Sequence, residues 1–214
     1  MAHYHKITDL PDTLPVFPLP GAVLFPRWEL PLNIFEPRYL NMFDDAMGGG
    51  RMIGMIQSLG GPRDRPDIAR VGCAGRITSF SETDDGRYIV TLSGICRFAV
   101  TRELDVMKPY RQVTPGWDAF AADLHPGPET GVPDRRDLIR ALRFYTDAHS
   151  LQADWSAVED APMETLVHAL AAGCPFTPPE KQALLEALTL ADRARALIAL
   201  LEISGSGGDT GPVQ

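Results

Sequence analysis

The sequence predicts an α+β fold, with a β-rich amino-terminal part followed by a helical part. Short apolar or alternating runs separated by turn residues fill the first half of the chain, and this pattern is typical of a β-barrel or a β-sandwich. From Asp134 onward the apolar residues recur at helical spacing instead. The segment 118–133 between them is rich in Asp, Pro and Gly, which indicates a boundary.

Eight short runs in the first half are predicted to be strands. In chain order they are 16–19, 23–25, 29–34, 51–57, 71–80, 87–92, 95–101 and 110–114. Asp85-Gly86 is the strongest hairpin signal between two of these runs. One helix interrupts the strands, because Pro37 suits a first helical turn and Gly48-Gly49-Gly50 ends the apolar pattern that follows it.

Start and stop signals divide the second half into helices. They are the cap residue Asp134, the stop at Gly173 and Pro175, the capping box Thr177-Pro178-Pro179-Glu180, and Thr189 followed by Asp192. The predicted organisation is a flexible start over 1–13, a β-rich subdomain over 14–117, a linker over 118–133, a helical subdomain over 134–203 and a disordered tail over 204–214.

Composition and charge narrow the class of protein. The 214 residues are 44% hydrophobic and 22% charged, as in soluble globular proteins. Lys and Arg total 20 against 28 for Asp and Glu, and the net charge of −8 disfavours binding to a phosphate backbone. No signal peptide is visible at the start, and the apolar stretch 14–35 carries too many prolines and charges for a membrane helix. These features predict a cytoplasmic protein.

The cysteines and the metal-binding residue types predict no cofactor. Cys73, Cys96 and Cys174 lie far apart and form no CxxC pair, so neither a structural zinc site nor a disulfide framework is expected. We therefore expect three reduced thiols and neither a metal nor an organic cofactor.

Several motifs carry a resemblance to a known family. They are LPVFPLPGAVLFP at 14–26, LPLNIFEPRY at 30–39, VGCAGRI at 71–77, LSG at 92–94, Arg97-Phe98, and Lys181-Gln182 with Leu184-Leu185-Glu186. From about Leu14 to Glu202 the chain resembles the amino-terminal, substrate-binding domain of Lon proteases. The resemblance implies a distorted β-barrel related to the PUA fold, followed by a helical bundle. Glu36 and Arg38, which flank the predicted start of the helix, are expected to form an ion pair and cap.

The same resemblance implies a binding function. In full-length Lon this domain helps to engage unfolded or tagged substrates, cereblon uses a related module as a protein-contact platform, and free-standing bacterial versions occur. We therefore predict a non-catalytic module that binds proteins or unfolded peptides, as an adaptor linked to an ATP-dependent protease in proteolysis or quality control. No membrane partner is predicted.

The catalytic motifs of Lon itself are missing from the sequence. No GxxxxGK[ST] loop is present, and a Ser-Lys dyad would have to use Lys6, Lys108 or Lys181. None of these lysines is expected to be desolvated, as such chemistry requires. A hydrolase, the third alternative, is therefore disfavoured.

Two groups of residues are candidate binding sites. Trp28, Phe80, Tyr110 and Trp117 lie near turns or strand ends and are predicted to line a cleft between the two parts, where they either capture a peptide or hold the parts together. Arg136, Arg140 and Arg143 share one helix face and support a second function, RNA binding through the PUA-like barrel. The alternative for this stripe is a solvated face neutralised by Asp137 and Asp147.

Overall fold

The computed structural model describes residues 4–62, 64–127 and 130–206, and it divides the chain into two units, Met1–Pro126 and Gly127–Gln214. The boundary falls inside the predicted linker 118–133. The elements of the amino-terminal unit are β1 (Leu14–Pro18), β2 (Glu29–Ile34), α1 (Pro37–Met47), β3 (Met52–Gly60), β4 (Asp67–Glu82), β5 (Tyr88–Leu104) and β6 (Arg111–Gly116).

All the strands of this unit belong to one sheet. The order is β2-β5-β4-β3-β1-β6, and β6 also pairs with β5. The pairings from β1 through β3, β4, β5 and β6 therefore return to β1, while β2 lies outside this ring with β5 as its neighbour. The pair β1–β3 is parallel and the others are antiparallel. The mixed α+β class predicted from the sequence agrees with this architecture.

Two strand predictions are wrong, for different reasons. The runs 87–92 and 95–101 form a single strand, β5, and the glycine that separated them, Gly94, is tightly packed against Phe25. The run 23–25 forms no strand, although Val23, Leu24 and Phe25 are all buried. The apolar run at 23–25 indicates burial, but a run of apolar residues does not show whether their backbone pairs with another strand.

The segment 7–10 and the start of the predicted linker both pack against the sheet. Ile7–Asp9 forms a 3₁₀ helix, and the buried Leu10 follows it. Asp118–Leu124 is a second 3₁₀ helix, in which Phe120 and Asp123 are buried. This part of the predicted linker is therefore packed structure. The core that these segments help to form contains Leu14, Val16, Ile56, Phe98, Val113 and Trp117 among its buried residues.

The carboxy-terminal unit is helical. Its elements are α2 (Arg135–Ala148), α3 (Trp155–Asp160), α4 (Met163–Gly173), α5 (Pro178–Glu186) and α6 (Leu190–Ser206). The predicted caps are present: Asp134 accepts from the Arg136 amide at 2.9 Å, and Thr177 and Glu180 form a capping box. The short helix α3 was not predicted, because it buries none of its side chains and so has no apolar period.

The carboxy-terminal end differs from the prediction in one respect. Residues 204–206 continue α6 and do not belong to a tail, whereas 207–214 lie outside the described residues. Among the helices that the structure describes, none combines the length and the apolar character needed to cross a bilayer.

Candidate functional site

The strand β2 has an open edge. It pairs with β5 from Glu29↔Ser93 to Ile34↔Tyr88 without a register shift, and it is the terminal strand of the sheet. The Gly94 amide donates to the Trp28 carbonyl at 2.8 Å, so Trp28 and every second residue after it direct their backbone groups toward β5. The backbone groups of Glu29, Pro31 and Asn33 therefore face the open edge. Pro31 fits there because it has no N–H to donate.

Two large apolar side chains lie exposed beside this edge. Phe35 is 62% exposed and Ile89 is 43% exposed, whereas their neighbours Ile34 and Val90 are buried. Ile89 stands opposite Asn33 in the ladder, and Phe35 is the first residue after the end of β2. Because alternate residues of a strand share a face, Ile89 lies on the outer face of the sheet together with Asn33, and Phe35 is exposed at the end of the same strand as Asn33. We refer to the open edge of β2 together with Phe35 and Ile89 as the β2 edge surface.

The hairpin between β4 and β5 carries two aromatic rings at the same end of the sheet, on the face opposite to that of Ile89. Phe80 is 38% exposed and its ring centroid lies 4.8 Å from that of Tyr88. The Tyr88 hydroxyl donates to Asp44 Oδ1 at 2.9 Å. The Arg87 guanidinium lies 5.9 Å from the centre of the Phe35 ring, so the hairpin also contacts the β2 edge surface.

The four aromatic residues proposed from the sequence fall into two pairs. Trp28 is half-buried immediately before β2, and Phe80 is exposed on β4, so both remain accessible. Trp117 is 8% exposed and packs against Phe98 at 5.9 Å, and Tyr110 is only 5% exposed. Burial of Tyr110 and Trp117 favours a packing role for these two. The predicted cleft between the two units stays a prediction.

Tyr110 borders a groove that lies wholly within the amino-terminal unit. The groove has a volume of about 440 Å³ and is lined by the segments 9–13, 45–52 and 108–112, among others. Asp45 accepts from the Tyr110 hydroxyl at 2.6 Å and from Lys108 Nζ at 2.9 Å, and these hydrogen bonds lower the pKa of Asp45. Burial and the Asp45 contact raise the pKa of Tyr110 to about 12. The polar groups of this cluster satisfy one another.

The arginine stripe on α2 is engaged by acidic side chains. Arg136 pairs with Asp134 at 3.2 Å and Arg140 with Asp137 at 2.8 Å. Arg143 pairs with Glu159 at 3.7 Å instead of with the expected Asp147, and it also stacks on Trp155 at 4.5 Å. The neighbouring Arg135 donates to the last carbonyls of α3. Arg143 and the neighbouring Arg135 therefore attach α3 to α2, whereas Arg136 and Arg140 pair with acidic residues at the start of α2 itself.

One expectation about the lysines is wrong. Lys181 is only 8% exposed, and its burial lowers the pKa of the ammonium group. Nζ donates to the Ala172 carbonyl at 2.7 Å, next to the end of α4. The buried ammonium therefore satisfies the carboxyl end of a helix, a role that the position of Lys181 in the first turn of α5 did not reveal.

The motif Glu36-Pro37-Arg38 forms the predicted ion pair but not the predicted cap. Arg38 lies 2.9 Å from Glu36, with both side chains partly exposed. Glu36 is the residue before α1, yet its side chain makes no capping hydrogen bond. These residues thus shape the junction between β2 and α1, immediately after Phe35.

Comparison with known families decides the identity of this fold. Residues 13–202 match the family described as the ATP-dependent protease La (LON) substrate-binding domain. The chain belongs to this family. The resemblance inferred from the sequence motifs is therefore confirmed, and the matched residues include β1–β6 and α1–α5 in full.

Curated relatives of this LON substrate-binding domain are much longer proteins. The Lon protease of Roseiflexus castenholzii is 26% identical over 203 residues, which cover 91% of this chain and 24% of the protease. The Lon protease of Desulfosudis oleivorans is 30% identical over 105 residues, covering 47% of this chain and 13% of the protease. The chain thus spans about a quarter or less of the length of these relatives.

Solved structures show the same fold. The crystal structure of a Lon N-terminal domain protein from Xanthomonas campestris has a TM-score of 0.60 at 22% identity and covers 87% of this chain and 97% of that one. The N-terminal domain of a Mycobacterium avium complex Lon protease has a TM-score of 0.59 at 16% identity and covers 88% and 97%. The LON substrate-binding domain described here therefore has the mixed α+β fold of Lon amino-terminal domains.

Proposed function

We propose that this domain recognises extended apolar segments of other proteins and binds them along the β2 edge surface. The observation that carries the proposal is the position of Phe35 and Ile89, both exposed, beside a strand edge with unpaired backbone groups. Large apolar side chains grouped at a surface are typical of protein-binding sites. Membership of a substrate-binding domain family supports the same function.

The unpaired backbone groups at the open edge of β2 favour a ligand in an extended conformation. A peptide strand that pairs with an open edge gains backbone hydrogen bonds whatever its sequence, while its alternate side chains contact the flanking apolar residues. Glu29 and Asn33 offer amides for such pairing, and the carbonyls of Glu29, Pro31 and Asn33 accept. Pro31 interrupts the row of donors, which limits uncontrolled pairing with further sheets.

The same proposal covers the barrel fold, the absence of catalysis and the adaptor role. The ring of strand pairings supports a closed, PUA-like barrel. We propose that the domain binds without catalysing a reaction and serves as an adaptor for an ATP-dependent protease in the cytoplasm of a bacterium. The family membership and the Lon relatives support this link.

The two alternative functions receive less support. RNA binding would need cations free to meet phosphates, whereas Arg136, Arg140 and Arg143 each pair with an acidic side chain. A Ser-Lys hydrolase would need a lysine that reaches a serine and a substrate, whereas the buried Lys181 donates to a backbone carbonyl.

A pair of surface variants tests the proposed function. We expect Phe35→Ser with Ile89→Ser to weaken binding of a reduced, alkylated and therefore unfolded model protein by about tenfold or more, because two apolar contacts are lost. The measurement is fluorescence anisotropy of the labelled ligand. The matched control is Leu188→Ser with Ile203→Ser, two side chains of the helical unit that are 67% and 68% exposed. Equal affinities for wild type, variant and control would refute the assignment of binding to the β2 edge surface.

A further inference from the structure

The open edge of β2 presents an incomplete row of backbone groups. The outward-facing residues Glu29, Pro31 and Asn33 are all exposed, and no other described residue hydrogen-bonds to their outward backbone groups. Each of them offers a carbonyl to a partner strand, but only Glu29 and Asn33 offer an amide, because proline has no N–H. The edge therefore lacks its middle donor.

Pairing with β5 does not depend on proline at this position. The amides that β2 directs toward β5 belong to Leu30, Leu32 and Ile34, which alternate with the outward-facing residues. A residue with an N–H at position 31 would direct that group to the open edge and would leave the β2–β5 hydrogen bonds in place. Replacement of Pro31 therefore changes what the edge offers to a partner and keeps the ladder that holds β2.

The missing donor has different consequences for two kinds of partner strand. A strand of another protein that pairs with the outward-facing residues, in either direction, loses one backbone hydrogen bond, because one of its carbonyls finds no donor. In a second copy of this chain the available edge is again β2, since β6 at the other end of the strand order pairs with β5. Pairing of two β2 edges loses two hydrogen bonds, one at the proline of each copy.

We propose that Pro31 is a specificity-determining residue of the β2 edge surface, which favours a single strand of another protein over a second copy of this chain. This inference rests on the proposed function and specifies how the same site stays available for its ligand. One missing hydrogen bond lowers an association constant by about fivefold, so two lower it by about 25-fold. The penalty for self-pairing is thus the square of the penalty for the ligand.

The test compares peptide binding and self-association in wild type and two variants. Pro31→Thr restores the middle donor, and we expect it to bind a fluorescent, proline-free peptide of alternating Val and Thr about fivefold more tightly, measured by anisotropy. Sedimentation equilibrium is expected to show dimerisation that is about 25-fold tighter than that of wild type. The urea unfolding midpoint of each variant establishes that it is folded.

The control variant, Pro31→Thr with Asn33→Pro, moves the missing donor to another outward-facing position. It keeps the number of donors of wild type, so both association constants are expected to return toward the wild-type values. Should this protein fail to fold, Pro31→Thr with Glu29→Pro serves the same purpose, because the first residue of a strand tolerates proline.

Each result bears on either the role of Pro31 or the proposed function. Equal dimerisation of wild type and Pro31→Thr would overturn the role of Pro31 in the choice of partner, whatever the peptide affinity. A gain that the control variant retains would also overturn it, because the threonine side chain would then be the cause. Failure of the peptide to bind any of the three proteins would remove the proposed function. Tighter dimerisation of Pro31→Thr would still support Pro31 as a barrier to self-pairing in that case.

Discussion

Replacing Asp123 by alanine is expected to destabilise the amino-terminal unit by about 3–5 kcal/mol. Asp123 is buried, and its two carboxylate oxygens accept from Arg97 Nε and from a terminal nitrogen of the same guanidinium, each at 2.8 Å. Oδ2 also accepts from the Arg97 amide at 3.0 Å. The variant would leave the buried Arg97 guanidinium without its carboxylate, stacked on Phe120 at 4.6 Å.

The measurement is urea unfolding followed by tryptophan fluorescence. In a Trp155→Phe background the remaining tryptophans, Trp28 and Trp117, both belong to the amino-terminal unit. The control is Glu36→Ala, which breaks a partly exposed ion pair and is expected to cost far less. If Asp123→Ala and Glu36→Ala shifted the unfolding midpoint equally, Asp123 would not be the anchor of the 3₁₀ helix Asp118–Leu124.

Replacing Gly94 by alanine is expected to cost at least about 3 kcal/mol or to prevent folding of the amino-terminal unit. A Cβ atom at Gly94 would lie 1.9 Å from the Phe25 carbonyl oxygen and 2.8 Å from its carbonyl carbon. Because the obstacle is backbone, no side-chain rotation can relieve the clash. The loop before β2 would have to move, which would break the hydrogen bonds of Gly94 with Arg27 and Trp28, both 2.8 Å long.

Gly50→Ala is the matched control for this variant. No heavy atom beyond the neighbouring residues lies within 4 Å of a Cβ built at Gly50, and its φ is not positive. We expect the Gly50→Ala variant to have the same urea unfolding midpoint as wild type. A Gly94→Ala protein with wild-type stability would mean that the loop between Phe25 and Trp28 shifts at no cost, and that it does not fix the position of β2.

The helix starts were predictable because their signals are local. Asp134, the Thr177–Glu180 capping box and Thr189 act through hydrogen bonds that span two or three residues. The packed segment Asp118–Leu124 was not predictable from composition, because the partner that holds Asp123 is Arg97, 26 residues away. Gly94 is a similar case. A glycine at this position suggests a turn from the sequence, whereas the structure shows that glycine is needed because the Phe25 carbonyl lies against it.

The candidate site was predictable only in part. Proximity to a turn selected Trp28 and Phe80, which are accessible, together with Tyr110 and Trp117, which are buried. Phe35 and Ile89 were missed because a sequence does not specify which face of a strand the sheet covers. Their alternation with the buried Ile34 and Val90 was the available signal, but it becomes informative only once β2 is known to pair with β5.

Residue-resolved hydrogen exchange tests the central claim most directly. The amides of Glu29 and Asn33 face the open edge of β2, so they are expected to exchange rapidly in the free protein. Saturation with an unfolded apolar peptide is expected to slow exchange at both amides and to leave the helical unit unchanged. Protection confined to the groove beside Tyr110, or to helices α2–α6, with unchanged exchange at Glu29 and Asn33, would contradict binding at the β2 edge surface.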